Sequence, residues 1–246
     1  MPAVLLCLHG WGGSKESFTE LRAALEGEDM TILTPDMPGF GAEPEPERPW
    51  SVDDYADWVE QWLSKQLTTY HLPLTTFQLL GHSHGGRIAI KLAARSSAST
   101  SHLRIEHLYL CAAAGIRRKS FKRSIGALFA SIGRVIFSLP VLKSLKAPAR
   151  TLLYKLLREH DYERASPVMR ATFAKVTEED LTPLLSSIHI PTDIFWGEED
   201  TMTPLKDGML MHERITGSVL HTFTGTRHRV HRDRAMEIAS IIRSNL

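Results

Sequence analysis

The 246-residue sequence predicts an α/β fold built on a mostly parallel sheet flanked by helices. Two observations carry that reading. Short apolar runs such as Ala3-Val4-Leu5-Leu6-Cys7-Leu8 lack the polar alternation of a half-exposed strand, so they read as parallel strands covered on both faces. In addition, Gly81-His82-Ser83-His84-Gly85 stands between an apolar run, Phe77 to Leu80, and a stretch of helical composition, Gly86 to Ala93. Strand, G-x-S-x-G, helix is the context of a nucleophile elbow, where a serine hydroxyl is exposed above the end of a sheet. A side chain at 81 or 85 would collide with the neighbouring strand or helix in so tight a turn. Without that context the motif would be an ordinary Gly/Ser turn.

The elements follow in order. Ala3 to Leu8 is a strand ending in His9-Gly10-Trp11-Gly12-Gly13-Ser14, a turn able to aim backbone N–H groups into a cleft. Phe18 to Leu25 reads as the first helix and Met30 to Thr34 as the next strand, which runs into Pro35-Asp36-Met37-Pro38-Gly39-Phe40-Gly41. Glu43 to Pro49 is a Pro/Glu loop. Ser51 with Asp54 forms a capping box that opens a helix through Tyr55, Val59, Trp62 and Leu63. Beyond the elbow, Ile105 to Cys111 is a strand closed by Ala112-Ala113-Ala114-Gly115.

The composition then shifts. Residues 116–165 hold twelve of the 29 Lys and Arg but only three of the 28 Asp and Glu, a net of +9 in a chain of net charge +1. Phe121 to Leu139 places apolar residues at helical spacing, and a second helix is expected near Ala149 to Arg158. Ser166 to Val176 and Glu178 to Leu185 follow, and the sheet resumes at Thr192 to Trp196. Ser218 to Phe223 is the last strand, and a closing helix is expected over Asp233 to Arg243.

Composition limits the function. Hydrophobic content of 43% and charge of 23% belong to a soluble globular chain with a sizeable core. Near-zero net charge predicts no nucleic-acid partner. Cys7 and Cys111 each lie in a strand-like apolar run, so reduced buried thiols are expected, fitting a reducing compartment. No signal peptide or membrane-length apolar stretch is visible, and a cytoplasmic location is expected. The twelve histidines raise a metal reading, but His228 and His231 lack a neighbouring Cys or carboxylate with zinc spacing; no metal or cofactor is expected.

A serine nucleophile needs a base within hydrogen-bond reach, usually a histidine oriented by a carboxylate. Strand then H-G-x-G-G, the D-x-x-G-x-G turn at Asp36, the elbow at Ser83, and Trp196-Gly197-x-x-Asp200-x-x-x-Pro204 occur in the order found in the α/β-hydrolase superfamily, which this chain resembles over nearly its whole length. The resemblance implies Ser83 as nucleophile, Asp200 as acid and His228 as base, with the N–H groups of Trp11 and His84 as the oxyanion hole. It assigns bracing to His9 and structure to Asp36. Glu198 and Glu199 compete with Asp200, and His231 competes with His228. The base loop departs from the family's G-x-G-H by placing Arg227 before the histidine, and Ala235 replaces a downstream proline. His82 and His84 are expected to pack beside the elbow. Serine at 83, rather than aspartate, argues against dehalogenase or epoxide hydrolase chemistry.

The family carries two strands ahead of the oxyanion strand, for which His9 leaves no room. Six strands are therefore expected, with Met30 to Thr34 on one edge. The resemblance also implies a helical cap at 116–182 on a core of 1–115 and 183–246. The activity implied is hydrolysis of carboxylic esters. Related readings are an acyl-carrier-protein methyl ester esterase, whose family shares the H-G-W-G loop, a thioesterase, a C–C bond hydrolase or a ligand receptor. The basic cap adds the expectation of an acidic partner or an anionic lipid surface.

Overall fold

The computed structural model describes residues 3–69, 76–98, 104–117 and 165–246. Six parallel strands form one sheet in the order β2-β1-β3-β4-β5-β6. They are β1 (Ala3–Leu8), β2 (Met30–Leu33), β3 (Thr76–His82), β4 (Arg104–Cys111), β5 (Thr192–Gly197) and β6 (Val219–Phe223). The Met30 strand lies on an edge, as the sequence predicts. From Val4 onward every residue of β1 is buried, which is why its sequence has no polar alternation. Each leucine so enclosed stabilises the fold by ~1.5–3 kcal/mol.

Helices cover the sheet. A 3₁₀ turn (Lys15–Phe18) leads into α1 (Thr19–Ala24), and α2 (Val52–Thr69) and α3 (His84–Ser97) follow. The capping box of α2 is formed: Asp54 accepts from the Ser51 N–H at 2.7 Å, and the Asp54 N–H donates back to the Ser51 hydroxyl at 3.2 Å. Lys91 and Arg95 on α3 tie it to α2 through Asp53, and Arg95 also through Asp57. The first helix begins as 3₁₀ because Ser14 and Ser17 exchange hydrogen bonds in a capping box one turn earlier than the apolar pattern shows.

Downstream come α4 (Pro167–Glu178), α5 (Thr182–Leu185) and α6 (Leu205–Arg214). The closing helix is broken into α7 (Val230–Asp233) and α8 (Ala235–Ser244). The break falls at Arg234, whose guanidinium turns back to the Thr226 hydroxyl and the Thr224 carbonyl. No sequence signal marked α6. It packs through Gly208, where a Cβ would stand 2.6 Å from the buried Trp196 ring.

The residues around 118–164 meet at a shared point: the Leu181 N–H donates to the Gly115 carbonyl at 2.9 Å, and the Arg117 N–H to Asp180 at 3.2 Å. Buried Arg87 on α3 clamps this junction through the Glu179 carbonyl at 3.0 Å. The expected helices at 121–139 and 149–158, and the basic residues from Arg118 to Arg164, lie outside the described residues. Among the described residues no helix is long and apolar enough to cross a membrane.

Register aligns the carboxyl ends of the central strands: Leu8 pairs with Gly81, His82 with Cys111, and Gly197 with Phe223. The chain leaves β1 toward β2 on one side and returns to β3 on the other. Open α/β sheets form their binding crevice at the carboxyl ends where strand order reverses in this way. Here the reversal falls between β1 and β3, so the turns after Leu8 and His82 flank the switch point.

Candidate active site

Ser83 joins β3 to α3 with φ 51° and ψ −111°, a conformation that L-residues rarely adopt. Such strain costs ~1–3 kcal/mol and persists only where the surroundings enforce it. Here the Ser83 N–H donates to Cys111, and its carbonyl accepts from Gly86, Arg87 and Ala114 at 3.0, 3.3 and 2.9 Å. The turn also requires bare backbone on both sides. A Cβ on Gly85 would stand 2.1 Å from the Leu8 carbonyl oxygen, and one on Gly81 2.6 Å from that of Gly85. Ser83 is half-buried, and its side chain makes no capping bond to α3.

Asp200 lies just past β5 with its carboxylate wholly enclosed. One oxygen accepts the N–H groups of Met202 and Thr203 at 2.8 and 3.0 Å. The other is 2.7 Å from His228 Nδ1 and 2.8 Å from the Thr203 hydroxyl. Burial pushes this carboxyl up, but the bonds to His228 and Thr203 outweigh it and hold the pKa below the ordinary aspartate value. An ionised carboxylate only accepts, so Nδ1 of His228 carries a proton, and in the neutral ring Nε2 keeps its lone pair. That is the tautomer a general base requires.

The competing residues lie elsewhere. Glu198 accepts from the Thr224 hydroxyl, and Glu199 pairs with Arg227 at 3.8 Å on the surface. Arg227 is 82% exposed, so the residue that departs from the family pattern turns away from the base. His231 is buried against the rings of His82 and Phe18, and neither of its nitrogens has a hydrogen-bond partner among the described residues. The structure thus brings Asp200 and His228 together and leaves Glu198, Glu199 and His231 outside that contact.

The loop after β1 is held from beneath. His9 Nε2 accepts the Met37 N–H at 3.0 Å, so Nδ1 donates to the Gly10 carbonyl at 2.8 Å. Burial lowers the pKa of His9, which keeps this bracing ring neutral. Asp36 accepts from the N–H groups of Lys15 and Ala42 and so ties two loops together. No carbonyl of the described residues accepts from the N–H of Trp11 or of His84. The Trp11 ring meets Phe40 and Phe173 edge-on, both at 4.9 Å, and His84 at 5.3 Å. His84 also packs against Tyr55, and burial lowers its pKa to about 3.

Two contacts at the candidate site escaped sequence reasoning. Thr203 touches Asp200 and, at 3.0 Å, the Ala112 carbonyl; its only signal was a hydroxyl three residues past the acid. His82 turns its Nε2 to the His228 carbonyl at 3.0 Å; its signal was a polar ring ending a buried strand. Cys7 and Cys111 are free and buried. Among the described residues no group of three or more His, Cys, Asp or Glu could hold a metal ion.

The profile of the alpha/beta hydrolase family matches residues 5–241. A pimeloyl-[acyl-carrier protein] methyl ester esterase from Chromobacterium violaceum is 26% identical over 91% of this chain and 86% of its own length. Among solved structures, an esterase from Exiguobacterium antarcticum superposes with a TM-score of 0.71 at 23% identity, over 99% of this chain and 91% of that one. A bromoperoxidase from Bacillus anthracis gives 0.72 at 24% identity, over the same shares.

Proposed function

The chain belongs to the alpha/beta hydrolase family, and on that premise we propose that it is a serine hydrolase of carboxylic esters. The observation that carries this is the 2.7 Å contact between His228 Nδ1 and Asp200, on the same strand-end edge as the strained turn at Ser83. In the proposed reaction Ser83 Oγ attacks the ester carbonyl while His228 Nε2 takes its proton. The N–H groups of Trp11 and His84 hold the oxyanion, and Asp200 stabilises the imidazolium. Collapse expels the alcohol, protonated by His228, and leaves an acyl group on Ser83. Water, deprotonated by His228, then attacks the acyl-enzyme, and the proton returns to Ser83 as the carboxylic acid leaves.

One substrate class has specific support. The Chromobacterium relative is named for the methyl ester of a carrier-bound acyl chain, so methyl esters of acyl chains are the first substrates to try. The test pairs methyl and p-nitrophenyl esters of graded acyl length with a fluorophosphonate probe. Turnover with an acyl-length optimum, and labelling that disappears in Ser83→Ala, are expected. Wild-type-like labelling of Ser83→Ala would sink the assignment.

A further inference from the structure

His82 ends β3 immediately before Ser83, and its side chain is buried. Its Nε2 lies 3.0 Å from the backbone carbonyl of His228. A carbonyl only accepts, so Nε2 carries the proton and Nδ1 does not. The bare edge of the ring faces the oxyanion loop, where a Cβ on Gly10 would stand 2.9 Å from Nδ1. The ring centroid is 4.9 Å from that of His228 and 3.9 Å from that of His231. Three chain segments therefore meet on one imidazole: the turn after β1, the residue preceding the nucleophile, and the loop bearing the base.

We propose that His82 is a positioning residue for the reaction: its Nε2–H, bonded to the His228 carbonyl, sets where the base stands relative to Ser83. This rests on the reading of Ser83 and His228 as nucleophile and base. Two alternatives fail on chemical grounds. An apolar side chain would fill the space but leave the His228 carbonyl without this donor. A charged imidazole would repel the imidazolium that forms on His228 during turnover. Burial, then the nearby His231 and His228, lowers the pKa of His82 well below the ordinary histidine value, so the ring stays neutral. His231 packs against it at an interplanar angle of 37° and makes no competing hydrogen bond among the described residues.

The test compares His82→Gln, whose amide N–H reaches about as far as Nε2, with His82→Met, which has similar length and no donor. Turnover of p-nitrophenyl butyrate per titrated site, KM, fluorophosphonate labelling rate and Tm are measured for each. His82→Met is expected to lose at least ~10-fold in kcat, with KM within ~2-fold, because misplacing a reacting group slows chemistry more than binding. Labelling should slow by a similar factor, and His82→Gln should recover to within ~3-fold of wild type, as expected where one hydrogen bond carries the effect. A His82→Met enzyme that loses Tm but keeps kcat would reduce His82 to packing, and equal damage in both variants would overturn the role of the donor. An independent check on wild type needs no variant to fold. Nitrogen-15 NMR of the imidazoles should find His82 neutral and Nε2-protonated between about pH 5 and pH 9. The Nδ1-protonated tautomer would overturn the proposal. Wild type that neither hydrolyses esters nor takes the probe at Ser83 overturns the serine-hydrolase reading and this inference with it. A reactive wild type with an indifferent His82→Met overturns the inference alone.

Discussion

Gly197 and Thr226 approach backbone to backbone: a Cβ on Gly197 would stand 2.3 Å from the Thr226 carbonyl oxygen and 2.4 Å from that of Arg227. The same carbonyl of Thr226 accepts the Glu199 N–H at 3.0 Å, so the acid and base loops are laced together. Gly197→Ala must push them apart. Expected are a loss of ~1–3 kcal/mol of stability from overpacking and a fall of ~10²-fold in kcat from displacement of the base. Urea denaturation and ester turnover check both, and an unchanged kcat would show that this spacing is not what places His228.

Asp200→Asn and His228→Ala are each expected to lower kcat by ~10³–10⁴-fold, the scale for a triad member. Glu199→Gln should change it less than ~2-fold, since an exposed ion pair contributes little. His231→Ala should cost less than ~10-fold, because His231 touches no carboxylate. A reversed ranking within either pair, measured as kcat per titrated site, would reassign the acid or the base.

Thr203→Val keeps the shape of the side chain and removes the hydroxyl beside Asp200. Hydrogen bonds to charged groups contribute ~1.5–3 kcal/mol, yet Asp200 keeps three other donors. A loss of ~10-fold in kcat is therefore expected, with recovery in Thr203→Ser. Comparable activity in the valine and serine variants would leave the hydroxyl without a role.

His82, His84 and His231 are buried, and desolvation is the largest cause of their lowered pKa values, which fall to about 3 for His84 and His231. In the unfolded chain each titrates near 6.5. Below that pH the unfolded state binds protons that the folded state refuses, so stability is full above 6.5 and lost as pH falls. Each histidine removes ~1.4 kcal/mol per pH unit over that range. Unfolding free energies in urea at about pH 7.5 and pH 5.5 should differ accordingly, and His231→Phe should shrink the difference by one such share. An identical difference in the variant would show that His231 is not held neutral.

Local chemistry made much of this readable in advance. Unbroken apolarity announced β1, and glycines at 81 and 85 announced a turn with no space for side chains, while Asp200 and His228 were implied by the resemblance to the α/β-hydrolase superfamily. Contacts between distant segments were not readable. Nothing near His82 in sequence shows that its partner is the carbonyl of His228, and nothing near Arg227 shows that its side chain faces outward. The break at Arg234 was hidden for the same reason, since the groups that draw its side chain away from the helix, Thr224 and Thr226, precede it in a loop.

The hydrogen bond from Leu181 to Gly115 has a consequence for how such a chain diversifies. β4 and β5 are adjacent in the sheet, and the residues on either side of 118–164 are tied to each other there, while α4 returns to the turns beside Trp50 and Trp11 through Thr172 and Phe173. Closing a longer excursion costs only ~0.6 kcal/mol per doubling of its length. The number of residues between Arg117 and Ala165 can therefore change at small cost while the sheet and its strand-end turns stay in register. Variation in the length of that segment is in this way separated from selection on whether the sheet folds.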